Sequence, residues 1–257
     1  MRVVVTHEQP DFDALASLAL ARLAHPGSVA VVGGDLAPNI RAFLRLYRDQ
    51  LDLREDDIPL ERIRELIVVD TNDPGRIGAF AQVLGSVPVT LYDHHPRHDE
   101  EIRAAHGIQE EVGATATLLT RHLQTSAVHI PPEIASLGLL GIHEDTGNLT
   151  FGLTTVDDYR AAAHLMACGA SLHLVREFQS DQIDADQRAL LREASRSVRK
   201  RRLGGFTLVT AAISFPDYVR NAAIVCNRLL EQENLVLRRA AAYLSQANLP
   251  SKGSTRS

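Results

Sequence analysis

Short runs of β-branched and aliphatic residues alternate with longer stretches of helical periodicity through the first half of the chain. Val3-Val4-Val5-Thr6 precedes a helical stretch over Ala14–Ala24, Val29–Val32 precedes one over Asn39–Tyr47, and Ile67-Val68-Val69 precedes one over Arg76–Leu84. A fourth run, Pro88-Val89-Thr90-Leu91-Tyr92, completes the series. Apolar strands alternating with helices predict an α/β fold built on a parallel sheet with helices on both faces. Helical patterns then dominate over Ala114–Leu123, Glu133–Gly141 and Val156–Met166. The character changes near residue 180: a polar, charged segment over Asp181–Arg202 reads as a linker and helix, one strand-like run follows at Phe206–Ile213, and helical patterns resume from Asn221. The predicted organisation is a main domain over 1–180, a charged helical linker over 181–204, a small C-terminal α/β lobe over 205–247, and a disordered polar tail over 248–257.

Composition narrows the setting. The chain has 257 residues, 45% of them hydrophobic and 23% charged, enough to bury a core without staples. Its two cysteines, Cys168 and Cys226, are too few and too far apart for a disulfide framework or a thiolate metal site, so a reducing, cytoplasmic setting is expected. No apolar run reaches the roughly 18 residues of a membrane span, and no membrane partner is expected. A net charge of −5 argues against coating nucleic acid by bulk electrostatics, so an anionic substrate must be drawn in locally.

The candidate chemistry is a matter of position. Three of the four apolar runs end in clusters of Asp and His: Val5-Thr6 leads into His7-Glu8-Gln9-Pro10-Asp11-Phe12-Asp13, Val68-Val69 into Asp70-Thr71-Asn72-Asp73, and Leu91-Tyr92 into Asp93-His94-His95. Parallel strands deliver their carboxyl ends to one edge of a doubly wound sheet, where ligand sites form. The three clusters should therefore meet, with a fourth acidic segment, Gly141-Ile142-His143-Glu144-Asp145-Thr146-Gly147, read as a loop closing over the same edge. Four carboxylates brought together repel one another unless cations sit among them. Two divalent ions balance Asp11, Asp13, Asp70 and Asp145, and mixed imidazole and carboxylate ligands without cysteine favour Mn²⁺, Mg²⁺, Fe²⁺ or Co²⁺ over structural zinc, with Mn²⁺ first. Paired ions of this kind serve in-line displacement at phosphorus. Taken singly, an Asp after a strand is more often a helix cap or turn former. Asp73, in Asn72-Asp73-Pro74-Gly75, is read that way.

At these residues the chain resembles the DHH phosphoesterase superfamily, named for the triplet seen here as Asp93-His94-His95. The resemblance spans roughly residues 1–180 and rests on four motifs: His7-x-x-Pro10-Asp11-x-Asp13-Ala14, the strand-terminal Asp70-Thr71, Gly113-Ala114-Thr115-Ala116-Thr117, and Gly141-Ile142-x-x-Asp145-Thr146-Gly147. It implies a two-metal hydrolase in which His7 and Asp11 hold one ion, Asp13, His94 and Asp145 the other, and Asp70 bridges both. It further implies that His95 faces the phosphate and that Asp93 orients the neighbouring histidine, which makes Asp70, His95 and Asp93 the catalytic candidates. Gly33-Gly34 followed by Asn39-x-Arg41-x-Phe43 resembles the branch in which the DHH region opens larger bacterial polypeptides continuing into CBS domains and a nucleotidyltransferase. The glycine-rich Gly-Gly-Gly-His type element of the family's C-terminal domain is not found after Gly204-Gly205, so that lobe is expected to be incomplete.

Several features stand beside this centre. Gly113 and Thr115, where the Ala114–Leu123 helix opens, are substrate-binding candidates together with His95, because N–H groups at a helix start suit a phosphate. Arg196, Arg199, Lys200, Arg201 and Arg202 form a basic cluster from which Arg199 and Arg202 could guide a nucleic-acid backbone; the plainer reading is a solvated helix end. His143 and Glu144 read as an exposed polar pair. The expected function is manganese-dependent hydrolysis of phosphodiester bonds in a phosphorylated small molecule, a short oligonucleotide or a cyclic dinucleotide, and a homodimer is compatible with it. Two alternatives stay open: a pyrophosphatase or polyphosphatase, and a metal- and nucleotide-binding regulatory module with little turnover.

Overall fold

The computed structural model describes residues 1–55, 58–178, 185–203, 206–213, 225–226 and 228–229. The chain divides into two compact units, Met1–Ser180 and Asp181–Ser257.

The first unit is built on six parallel strands, β1 (Arg2–Val5), β2 (Val29–Val31), β3 (Leu53–Arg54), β4 (Glu65–Val69), β5 (Val89–Asp93) and β6 (His106–Gln109). Their spatial order is β3-β2-β1-β4-β5-β6. The chain winds outward from β1 to β3, returns, and winds the other way from β4 to β6. The reversal falls between β1 and β4, and a sheet of this kind opens a crevice at the carboxyl ends of the strands at such a point.

Side chains alternate across the sheet as the pleat requires. Val4, Ile67, Val69 and Tyr92 face one side, where helices α1 (Phe12–Ala24), α2 (Pro38–Leu51), α3 (Thr115–Thr125), α4 (Pro132–Asp145), α5 (Val156–Ala167) and α6 (Leu172–Phe178) share the main core. Val3, Val5, Leu66, Val68 and Leu91 face the other, under 3-10 turns at Leu60–Arg62, Pro74–Arg76 and Gly78–Val83. α1 is buried from Phe12 through Ala21, as its apolar composition on every side demands. It is the central helix, packed against both α3 and α4.

Several expectations are corrected here. The stretch Arg76–Leu84 forms 3-10 turns, because Pro74, Gly75 and Gly78 break the helical run. Gly141–Asp145 is the last turn of α4 and not a loop. β3 and β6 were not anticipated: β3 is two residues long, and β6 is a polar edge strand without alternation.

In the second unit, α7 (Ala185–Ser197) is followed by β7 (Arg199–Leu203), which pairs antiparallel with β8 (Phe206–Thr210). Leu190, Leu191, Ala194 and Val225 form its small core. The basic cluster is thus corrected as well: Arg199, Lys200, Arg201 and Arg202 lie exposed on a strand, with only Arg196 in the last turn of a helix. Most of the expected lobe over 205–247, and all of the tail over 248–257, fall outside the described residues. Among the described residues, no helix is long and apolar enough to cross a membrane.

Candidate metal centre

Each strand at the crevice ends in a ligand-type side chain. After β1 the chain passes through buried His7 to Asp11, which caps α1 by accepting from the Ala14 N–H at 3.0 Å through Oδ1. Asp11 is thus a helix cap as well as a candidate ligand. Asp13, two residues into α1, is 0% exposed. Its two carboxylate oxygens accept from the backbone N–H groups of Thr115 (2.7 Å) and Ala116 (2.9 Å) at the start of α3. Asp70 follows β4 in a left-handed conformation, φ 59°, that turns its carboxyl into the crevice region; Asp tolerates this better than most residues. Thr115 gives its hydroxyl to Asp70 Oδ1 at 2.9 Å.

The two histidines after β5 part ways. His94 donates its Nδ1–H to the Val112 carbonyl at 3.1 Å, which leaves Nε2 at 3.5 Å from Asp70 Oδ1 and 3.3 Å from Asp145 Oδ2. His95 pairs through Nδ1 with Asp93 Oδ1 at 2.7 Å; Asp93 is wholly buried, while the His95 side chain is 39% exposed. From the far side, α4 brings in Asp145. Gly141 makes this possible, because a Cβ there would stand 2.9 Å from both Asp13 Cα and Phe12 O, so α4 closes directly on the first turn of α1.

Three overlapping groups result, each with donor atoms within 4.8 Å of one another: His7, Asp11 and Asp70; Asp13, Asp70, His94 and Asp145; and Asp70, His94 and His95. Asp70 belongs to all three. Burial drives the Asp70 carboxyl well above its usual range, with Asp13, Asp11 and Asp145 adding to the rise, and it raises Asp145 likewise, again with Asp11 and Asp13 contributing. Asp13 is also raised, chiefly by burial. His7 is pulled down to about 4, mainly by burial, and so is neutral near pH 7. Among the described residues, no Lys or Arg ion-pairs with Asp11, Asp13, Asp70 or Asp145; Asp70 lies beside His7 and His94, Asp145 beside His94, while Asp13 and Asp11 are held by backbone N–H groups. His7 Nδ1 and Asp93 Oδ2 are buried with no hydrogen-bond partner. A mixed carboxylate and imidazole donor set that gathers this much negative charge, with no Lys or Arg paired to it among the described residues, fits divalent ions.

Not every anticipated residue serves the centre as expected. Gly113 and Thr115 are buried, and their donors go to protein carboxylates: Gly113 N–H to Asp158, Thr115 N–H to Asp13 and Thr115 hydroxyl to Asp70. The Gly113 and Thr115 donors are thus taken up within the protein. Arg199 and Arg202 belong to the second unit. Glu144, read as exposed, instead accepts from the Phe12 N–H at 2.7 Å and is pushed up to about 8 by burial, with Asp11 the next cause. Its partner in that reading, His143, is half-buried and pairs with Asn148. Asp73 is a turn former, accepting from the Gly75 N–H at 2.7 Å.

Residues 2–142 match the DHH family, N-terminal domain. The chain belongs to the DHH family. This DHH chain is 35% identical over 239 residues to the A-adding tRNA nucleotidyltransferase of Geobacter sulfurreducens, a match covering 91% of this chain and 27% of that protein. It is 32% identical over 181 residues to the bifunctional oligoribonuclease and PAP phosphatase NrnA of Thermus thermophilus, covering 66% of this chain and 50% of the relative. It thus spans about a quarter of the first relative and half of the second. In fold it is similar to an exopolyphosphatase-related protein from Bacteroides fragilis, with a TM-score of 0.58 at 17% identity over 77% of this chain and 61% of that one.

Proposed function

We propose that this DHH chain hydrolyses phosphodiester bonds of short oligonucleotides or cyclic dinucleotides with the help of two divalent ions, Mn²⁺ before Mg²⁺ or Co²⁺. Family membership supports a phosphoester hydrolase in general. The finer reading rests on one observation: four carboxylates and two or three imidazoles, drawn from three strand ends and two helices, meet around Asp70, and among the described residues no Lys or Arg ion-pairs with those carboxylates.

His7, Asp11 and Asp70 would hold one ion; Asp13, Asp70, His94 and Asp145 the other. Bound there, the pair supplies Lewis acidity toward a phosphate and brings the pKa of a water toward neutrality. The protein's own contribution is to fix its donors beforehand. Asp13 is held through both oxygens by backbone N–H groups, Asp70 by the Thr115 hydroxyl, and His94 by the Val112 carbonyl. His95, anchored by buried Asp93, keeps Nε2 for a nonbridging phosphate oxygen, where a donor is worth most as charge develops. NrnA, a relative whose name includes oligoribonuclease, favours the oligonucleotide substrate class.

The test is purified protein with Mn²⁺ on a chromogenic phosphodiester, a dinucleotide and pyrophosphate. Cleavage of the first two is expected. Cleavage of pyrophosphate alone would move the chain to phosphoanhydride hydrolysis, and metal binding without any cleavage would leave a regulatory module.

A further inference from the structure

Asp158 is 0% exposed at the third position of α5, outside the stretch that matches the DHH family. Part of its bonding is local. Its Oδ2 accepts from the Thr155 N–H (2.6 Å) and Thr155 hydroxyl (2.8 Å), completing the capping box that starts α5. A capping box needs no more than this, yet the same carboxylate reaches across the unit. It accepts from the Gly113 N–H at 3.1 and 3.0 Å and from the Thr117 hydroxyl at 2.6 Å. Gly113 is required for this approach, since a Cβ there would stand 2.7 Å from Asp158 Oδ2 and 2.5 Å from Thr146 Cγ2.

The residues beside and between these two grips are the ones that hold the metal-binding side chains. Just before Gly113, the Val112 carbonyl fixes the His94 ring. Just after it, the N–H groups of Thr115 and Ala116 clasp Asp13, and the Thr115 hydroxyl holds Asp70. Segment 112–117 is therefore a strap that touches three metal-site side chains, and Asp158 ties it down at 113 and again at 117.

We propose that Asp158 is a positioning residue for the metal centre: its hydrogen bonds go to Gly113, Thr117 and Thr155, and it sets the strap that aims His94, Asp13 and Asp70. The proposal rests on the metal-centre reading above. Groups that orient ligands in this way change metal affinity when removed, typically by about 10–100-fold.

The experiment is Mn²⁺ titration by calorimetry, without substrate, on the parent protein and three variants, with the visible spectrum of the Co²⁺-loaded forms as a second readout. Asp158→Asn, which turns one acceptor oxygen into a donor, is expected to weaken Mn²⁺ binding about tenfold or more and to alter the Co²⁺ bands. Thr117→Val removes one grip alone and is expected to weaken binding by a smaller factor in the same direction. Thr155→Ala removes part of the capping box but leaves both grips; it is expected to lower the melting temperature while affinity and spectrum stay at the parent level. Should Asp158→Asn fail to fold, Thr117→Val decides the matter. Parent-level affinity in a folded Asp158→Asn or in Thr117→Val, or an equal loss in Thr155→Ala, overturns the proposal. Because binding is read without substrate, loss of hydrolysis with intact binding counts against the proposed reaction and not against this role, whereas a parent that binds no Mn²⁺ overturns both.

Discussion

Thr115 meets Asp13 across 102 positions of sequence, its backbone N–H 2.7 Å from the carboxylate. The contact joins the start of α3 to the start of α1, and it explains how a fully buried Asp can persist there. Helix-start N–H groups have no partner within their own helix, and a carboxylate satisfies them while the helix dipole favours its charge. The N-terminus of α3 is thus occupied by the buried carboxylate of Asp13.

The position of Asp70 in all three groups makes Asp70→Asn the direct test of the centre. Asn keeps the size and tolerates the left-handed backbone, so the fold should survive. Metal-dependent turnover is expected to fall by at least about 100-fold. In the metal-free protein the variant should melt at or above the parent temperature, because it removes a carboxyl that burial and like charges oppose. Turnover near the parent level would remove Asp70 from the centre.

The shifted groups give the metal-free protein a distinctive pH response. Glu144, raised from 4.5 to about 8, binds a proton in the folded state that the unfolded chain has released, so its contribution to stability is lost as pH rises from about 4.5 to 8. His7, lowered from 6.5 to about 4, acts oppositely, losing stability as pH falls through that range. Above pH 6.5 only the carboxyl effect remains. Chelator-treated protein should therefore lose about 1–2 kcal/mol between pH 6.5 and 8, and Mn²⁺ should reverse the loss with release of protons. Melting curves in that interval check the sign; a rise in stability would contradict it.

Much of this centre could be read from strand ends alone, since the rule that parallel strands share one carboxyl edge brings together His7, Asp70 and His94 whatever the loop details. What escaped the sequence reading lies in side-chain reach. Thr155-x-x-Asp158 carries a visible capping-box signal, but nothing local says that Asp158 also spans 45 and 41 positions to Gly113 and Thr117. The four cations at 199–202 masked a strand that only its pairing with β8 reveals, although Gly204-Gly205 was a hairpin signal between the two runs. By sequence Gly141 opens a loop, whereas in the structure its missing side chain lets two helices touch.

That close approach can be tested by Gly141→Ala. The added methyl would press on Asp13 Cα and the Phe12 carbonyl, both backbone atoms that cannot swing aside. Separating α1 from α4 should cost about 1–3 kcal/mol of stability. It should also weaken Mn²⁺ binding, because Asp13 rides on one helix and Asp145 on the other. A variant that melts with the parent would show the interface to be looser than described.

Adjacent in sequence, His94 and His95 make different contacts, and the difference predicts different kinetics. His94 has its Nδ1 on a carbonyl and Nε2 between Asp70 and Asp145, so His94→Ala should weaken Mn²⁺ binding at least about tenfold. His95 is also within reach of Asp70 and His94, but its anchor is Asp93 and its side chain is 39% exposed. As a donor to phosphate it should matter for turnover and little for affinity: His95→Ala should lower kcat by about 100-fold or more while Mn²⁺ binding stays near the parent level. Asp93→Asn should follow His95→Ala, with a smaller fall in kcat, since it loosens the ring without removing it. Calorimetry beside steady-state rates separates the cases, and an equal loss of Mn²⁺ affinity in both histidine variants would make His95 a metal ligand and leave the phosphate without its donor.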